Sequence, residues 1–236
     1  MSRLMIAAVL GLTFVSCNGG DSEPIIPSPP TQLTADSPLA DIVDRYVNSP
    51  DTYASLHGVV ESEAVSRQFQ EEVWYEAPDK WRIEMTGDRV DVGSIEAGHT
   101  RITNGGDHYL IRERLNQYCH SHEQSVQGSS VADRIDNQIV GLIGQLDLSN
   151  AAVVATETIA GRPALKLLID PDIPRRFVWI DAVYGTVLAY DYDVETSMVP
   201  HSAFTSIAFN EDIDDGLFDA DLSGYRELPC EEVVNY

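Results

Sequence analysis

The sequence predicts an α+β domain in which one large antiparallel sheet curls around two amphipathic helices. Apolar and polar residues alternate over residues 56–104 and again from residue 153 onward, with turn residues between the runs, and this two-residue period is typical of antiparallel strands. Two other segments carry apolar residues at helical spacing. The resulting order of helix, strands, helix, strands predicts a single domain over about residues 37–230.

The first helix is predicted to begin at Ser37, a good N-cap residue, with Pro38 at the first helical position. Its apolar residues recur at intervals of three and four: Leu39, Ile42, Val43, Tyr46 and Val47. One face of this helix is therefore apolar, and another element has to cover it.

Turns at residues 77–79, 86–88 and 104–106 divide the first group of strands. In the two strands around the first of these turns, apolar residues share one face, with polar and charged residues on the other. The apolar set is Phe69, Val73, Tyr75, Trp81, Ile83 and Met85. The sheet is expected to have one face in water and one against the helices.

A second helix is predicted from Ser130, with Asp133 as a partial capping box. Its apolar stripe consists of Val131, Ile135, Ile139, Leu142, Ile143 and Leu146. The two-residue period then returns, most clearly in Leu165, Leu167 and Ile169.

The first 16 residues have the features of an export signal. Arg3 supplies a positive charge, residues 4–15 form an apolar run too short to span a hydrocarbon core of about 30 Å, and Ser16 precedes Cys17. The run FVSC at residues 14–17 resembles a bacterial lipobox, in which the cysteine becomes the lipidated N-terminus after cleavage. Cys17 is thus expected to carry acyl groups such as palmitate. The alternative is cleavage nearby, which leaves Cys17 as an ordinary thiol.

Residues 17–36 are rich in Gly, Ser and Pro and show no period, so they are predicted to be a flexible tether ahead of a domain over residues 37–236. An export signal with a lipid anchor places the protein on the extracytoplasmic side of the cell envelope, in the periplasm, at the outer membrane or at the cell surface. The protein is then attached to the membrane through its N-terminal lipid anchor.

The chain has three cysteines. If Cys17 carries lipid, Cys119 and Cys230 remain as an even pair in an exported chain, which predicts a disulfide between them. Two separate thiols are the alternative.

The charge balance excludes nucleic-acid binding. The chain has 38 Asp and Glu against 15 Lys and Arg, a formal net charge of −23, and no basic patch to neutralise phosphates. An acidic surface of this kind either keeps an ordinary protein soluble or adapts it to high salt.

The sequence motifs of the common hydrolases and nucleotide-binding proteins are missing, so no enzymatic activity and no cofactor is predicted. His120, His122 and Glu123 follow Cys119, and two imidazoles on one face of a strand could bind a metal. Because the sequence shows no obvious third ligand, we interpret them as surface residues and predict no metal site. A metal-dependent hydrolase is the alternative.

Five segments, in order, resemble the signature segments of the lipoprotein-sorting superfamily, the LolA/LolB-like proteins. They are VWYEAPDKWRIEM at residues 73–85, TNGGDHYL at 103–110, AGRPA at 160–164, VWID with a following glycine at 178–185, and FNEDIDDGLF at 209–218. The resemblance implies an unclosed antiparallel half-barrel whose apolar concave face holds helices as a lid over a cavity for acyl chains.

On this basis the cavity is expected to be lined by ten apolar residues, which otherwise simply fill the core. They are Phe69, Val73, Tyr75, Trp81, Ile83, Met85, Leu142, Leu165, Leu167 and Ile169.

The resemblance implies a non-enzymatic lipoprotein that binds the acyl chains of lipoproteins or lipids, as a carrier or acceptor. The soluble carrier of the family has an arginine where this chain has Ala77. A protein anchored through Cys17 also differs from a soluble shuttle, so the resemblance fits a membrane-bound acceptor or a glycolipid carrier better. The alternative is an envelope sensor or regulator that binds a protein partner, since relatives of this fold occur in envelope-stress signalling.

Overall fold

The computed structural model describes residues 28–64, 67–86, 98–122, 146–169, 176–192 and 201–234. Within them, helix α1 spans Leu39–Val47 and helix α2 spans Cys230–Val234, and single 3-10 turns lie at Ser49–Thr52, Glu113–Leu115 and Asp215–Phe218. The strands are β1 Ser55–Ala64, β2 Arg67–Glu76, β3 Lys80–Thr86, β4 His99–Asn104, β5 Asp107–Arg112, β6 Gln117–His122, β7 Ala152–Ile159, β8 Arg162–Leu168, β9 Arg176–Asp181, β10 Val187–Tyr192, β11 His201–Phe209 and β12 Arg226–Glu227.

These strands form one sheet in the order β12-β6-β5-β4-β3-β2-β1-β11-β10-β9-β8-β7. All neighbours are antiparallel except β12, which pairs with β6 in parallel. The pairing of β1 with β11 joins two meanders, β1 to β6 and β7 to β11. The sheet curls so strongly at one end that Cα atoms of the edge strand β7 come within 8 Å of β11. The predicted open antiparallel sheet is confirmed.

Helix α1 packs closely against the turn between β9 and β10. Its buried residues Ile42 and Tyr46 belong to the main apolar cluster, and the Arg45 side chain donates a hydrogen bond to the carbonyl of Val183. Gly185 in that turn has φ +78°, and a Cβ there would lie 2.7 Å from the Arg45 carbonyl carbon and overlap its oxygen. Only a glycine lets the helix approach this closely.

Residues 130–145 of the predicted second helix, with Leu142 on its stripe, lie outside the described residues, as do Cys17 and the signal segment; Leu146, the last residue of the stripe, is described and packs against the apolar cluster. The enclosure of two helices by the sheet therefore stays a prediction. Leu33, within the predicted tether, is buried, and its N–H donates to the carbonyl of Ala182 at 2.7 Å, so this residue packs with the domain. Among the described helices, none is both long and apolar enough to cross a membrane.

Most of the buried apolar side chains form one cluster that both meanders share, while residues such as Ile102, Ile111 and Phe218 are buried outside it. The cluster includes Leu56, Val60, Val73, Leu165, Ile180, Val187 and Phe204. We call the face of the sheet that carries these residues the inner face, and the opposite face the outer face.

The C-terminal segment covers the outer face around Phe218, pairs with the edge strand β6, and is then tied to Cys119, which the register places on the inner face. Phe218 is buried, its carbonyl accepts from the Asn104 side chain at 3.5 Å, and the Lys80 ammonium lies 5.6 Å from its ring centroid. A disulfide joins Cys119 on β6 to Cys230 at the start of α2, as the cysteine count predicted. The end of the chain is therefore held against strands 111 residues earlier.

Candidate ligand-binding face

The predicted cavity residues that the structure describes lie on the inner face. Five of them, Val73, Tyr75, Leu165, Leu167 and Ile169, belong to the apolar cluster and are at most 9% exposed.

Three further predicted residues come from β3. Met85 is buried, whereas Trp81 and Ile83 are half-buried and pack against the edge of the cluster. The Phe69 side chain and Leu142 lie outside the described part of the chain.

The register of β2 and β3 explains why these residues share a face. Val73 lies opposite Ile83, and Tyr75 lies opposite Trp81 with ring centroids 4.3 Å apart. Directly opposed residues of an antiparallel pair point to the same side of the sheet. Val73 and Tyr75 are buried while their partners Ile83 and Trp81 are only partly buried, so at this level of the strands the burial of the inner face decreases from β2 to β3.

The second meander supplies the other wall. Leu165 lies opposite Ile180 and Leu167 lies opposite Val178, and all four are buried. The two sets of predicted cavity residues are about 80 residues apart in sequence, yet they meet in one cluster because β1 pairs with β11.

Beyond β3 the inner face carries several polar residues beside the apolar Leu110 and Cys119. The register places His99 of β4 opposite Met85, and Arg112 of β5 opposite His99, while Arg101 lies opposite Ile83. Glu71 of β2 lies opposite Met85 on the other side and completes the row. Glu71, His99 and Arg112 are buried. This row holds two guanidinium groups and one imidazole against one carboxylate, in a chain that is otherwise strongly acidic.

An aromatic group within the apolar cluster forms the floor of the inner face. The Tyr53 ring meets Tyr75 edge-on at 5.6 Å and Tyr184 edge-on at 6.0 Å. Burial raises the pKa of the Tyr53 phenol, and burial is also the main reason that the pKa of Tyr75 is raised. Both phenols therefore stay neutral, and the Thr186 hydroxyl lies 3.3 Å from the Tyr53 oxygen.

Three of the signature segments, at residues 160–164, 178–185 and 209–218, contain residues that brace turns and strand ends. Arg162 pairs with the fully buried Asp181, which also accepts the N–H groups of Val183 and Tyr184 at 2.8 Å each. The Asn210 carboxamide oxygen accepts the N–H of Ala54 at 2.7 Å, which ties the end of β11 to the start of β1. The signature segments contain Arg162 and Asp181, but the sequence did not predict that they form an ion pair. The pair forms only because β8 lies beside β9.

No protein-family model and no curated protein matches the sequence. The structure is nevertheless similar to solved structures. The MucA/MucB complex of Pseudomonas aeruginosa matches with a TM-score of 0.55 at 14% identity, over 80% of this chain and 62% of that chain. An uncharacterized conserved protein from Thermus thermophilus matches with a TM-score of 0.52 at 11% identity, over 80% of this chain and 97% of that one.

A LolA superfamily protein from Nitrosomonas europaea is also among the matches, with a TM-score of 0.36 at 11% identity, over 78% of this chain and 99% of that chain. At such identities the likeness to the MucA/MucB complex and to the Thermus protein concerns the fold alone. The chain spans about three-fifths of the length of the MucB chains.

Proposed function

We propose that the protein is an extracytoplasmic lipoprotein, anchored through Cys17, that binds acyl chains on the inner face of its open sheet. The single observation that carries the proposal is at β3. There the large apolar side chains of Trp81 and Ile83 are only partly buried, directly beside a buried cluster. An acyl chain laid along β3 would cover this apolar surface at about 25 cal/mol per Å2 removed from water.

The neighbouring polar row suggests which ligands fit best. A fatty acid or an acidic lipid has an apolar chain and an anionic head, and the inner face offers apolar side chains on β3 and the guanidinium groups of Arg101 and Arg112 on the next two strands. Charge-assisted hydrogen bonds from guanidinium to carboxylate or phosphate are among the stronger ones in proteins. We expect a fatty acid to bind more tightly than the alcohol of equal chain length.

The test is displacement of a fluorescent fatty acid from the full-length protein, together with native mass spectrometry of protein from its own host. We expect saturable binding of about one probe per chain and a co-purifying lipid. Ile83→Trp should fill the surface beside β3 and weaken binding of the fluorescent fatty acid severalfold. Val154→Trp adds similar bulk at an exposed position of the edge strand β7 and should leave binding unchanged. An empty protein that takes up no probe would overturn the proposal.

A second function is favoured by the comparison with MucB, which has been solved in complex with MucA. In this alternative the protein is an envelope sensor or regulator, and a protein partner occupies the sheet or its covering helices. Full-length protein used as bait in solubilised envelope extract should then recover one membrane protein stoichiometrically, and added lipid should not change the yield. Recovery that depends on lipid instead favours an acceptor of acylated proteins.

A further inference from the structure

We propose that Asp107, His120 and His122 form a binding site for a divalent transition-metal ion such as Zn2+ on the outer face, at one end of β5 and β6. This site is independent of acyl-chain binding, which we place on the other face of the sheet. No catalytic role is assigned to it.

The antiparallel register brings the three residues together. Asp107 lies opposite His122, and the next pair on the same face is Tyr109 with His120. The Oδ1 atom of Asp107 lies 2.7 Å from Nε2 of His120 and 2.9 Å from Nδ1 of His122. All three potential ligand atoms lie within 4.8 Å of one another.

These distances are close to those of a metal site. Zinc binds imidazole nitrogen and carboxylate oxygen at about 2.0–2.2 Å in tetrahedral geometry, so two ligand atoms of one ion are roughly 3.3 Å apart. The two contacts to Asp107 would have to widen by about half an ångström, which side-chain rotation supplies. Two imidazoles and one carboxylate favour zinc and its neighbours over Mg2+ or Ca2+ and leave positions open for water.

The ligands are held on rigid elements and can still be reached from solvent. The His120 ring stacks on Tyr109 with ring centroids 4.5 Å apart and planes 10° from parallel. The preceding residue, Cys119, is fixed by its disulfide to Cys230. The His122 side chain is 63% exposed, which leaves an open path for the ion. The net charge of −23 raises the local concentration of cations.

The sequence analysis rejected a metal site because it found only His120, His122 and Glu123. The missing ligand, Asp107, lies 13 residues before His120 and reaches it only through the pairing of β5 with β6. Glu123 lies outside the described residues and is not needed for the proposal.

The test is isothermal titration of the untagged, full-length protein with ZnCl2 after treatment with EDTA. We expect about one ion per chain and no saturable response to MgCl2. His122→Ala and Asp107→Asn should each weaken zinc binding by at least about tenfold. His201→Ala is the matched control, because the His201 ring also lies near a carboxylate, 3.6 Å from Asp191, and this variant should bind zinc like the parent.

Circular dichroism of each variant separates the loss of a ligand from the loss of the fold, and His122 is exposed enough for its replacement to leave the fold intact. Absence of saturable zinc binding in the parent protein would overturn the proposal. So would folded His122→Ala and Asp107→Asn variants that lose less than tenfold in affinity, because zinc would then be bound elsewhere on the chain.

Discussion

The packing of α1 against the β9–β10 turn requires a glycine at position 185. Its φ of +78° lies in the left-handed region, and its missing side chain leaves room for the backbone of α1 at Arg45. A side chain at this position would meet two costs at once, because a non-glycine residue is disfavoured at positive φ and the helix would have to move away from the turn.

We therefore expect Gly185→Ala to lower the free energy of unfolding by about 2–4 kcal/mol, as judged from overpacking and left-handed backbone costs. Gly161→Ala is the matched control. Gly161 has a nearly equal φ of +77°, but a Cβ there would find nothing within 4 Å, so only the backbone cost of about 1 kcal/mol remains. Urea denaturation measures both variants. Equal losses would mean that α1 does not press on this turn.

At the level of elements, the alternation of apolar and polar residues predicted most of the strands, although β5 and β6 lie beyond residue 104, where the first predicted run ends. In β2 it placed Val73 and Tyr75 on the buried face, and the structure agrees. The first helix was predicted equally well, since α1 begins at Leu39, directly after the predicted N-terminal proline. Both patterns are local, and a local period is visible in a single sequence.

The pairing of distant strands could not be predicted in this way. Leu56 of β1 lies opposite Phe209 of β11, and the register between strands so far apart depends on the packing of the complete domain. The same limit explains the site residues. Asp107 was missed as a ligand, and the polar row of Arg101 and Arg112 was missed as part of the inner face, because each emerges only from the register.

The aromatic floor joins the start of β1, the end of β2 and the β9–β10 turn, and it predicts instability in alkali. Burial raises the pKa of Tyr53 and of Tyr75 above that of a tyrosine in the unfolded chain, which is about 10. The neutral phenols therefore favour the folded state fully below pH 10. This contribution is lost as pH rises toward their folded pKa values, by up to about 1.4 kcal/mol per pH unit for each group.

Urea denaturation between pH 8 and pH 11 measures this loss, and absorbance at 295 nm counts the phenolates. We expect the phenols of Tyr53 and Tyr75 to ionise only as the protein unfolds. A Tyr53→Phe, Tyr75→Phe double variant serves as the reference, because it should lose less stability between these pH values than the parent does. If all ten tyrosines ionise together near pH 10 while the protein stays folded, the burial of Tyr53 and Tyr75 is contradicted.

At the scale of the whole molecule, two opposite electrostatic trends coexist. The chain as a whole repels itself, because 38 acidic residues face 15 basic ones. Several of the few cations are committed to local pairs: Lys80 contacts Glu76 and Asp215, and Arg162 contacts Asp181. Salt weakens both the repulsion and the exposed pairs, but the repulsion involves many more charges.

We therefore expect added salt to stabilise the protein, by roughly 1 kcal/mol or more between 0.01 and 0.3 M, where the Debye length falls from about 30 Å to below 10 Å. Thermal or urea denaturation measures the change. Sodium chloride and sodium perchlorate at equal ionic strength provide the control, because screening depends on ionic strength alone, whereas effects on hydration differ between the two anions. A rise that is equal in both salts and levels off supports repulsion between carboxylates as the cause. A fall in stability would mean that the few ion pairs outweigh a net charge of −23, and the acidic surface would then need another explanation.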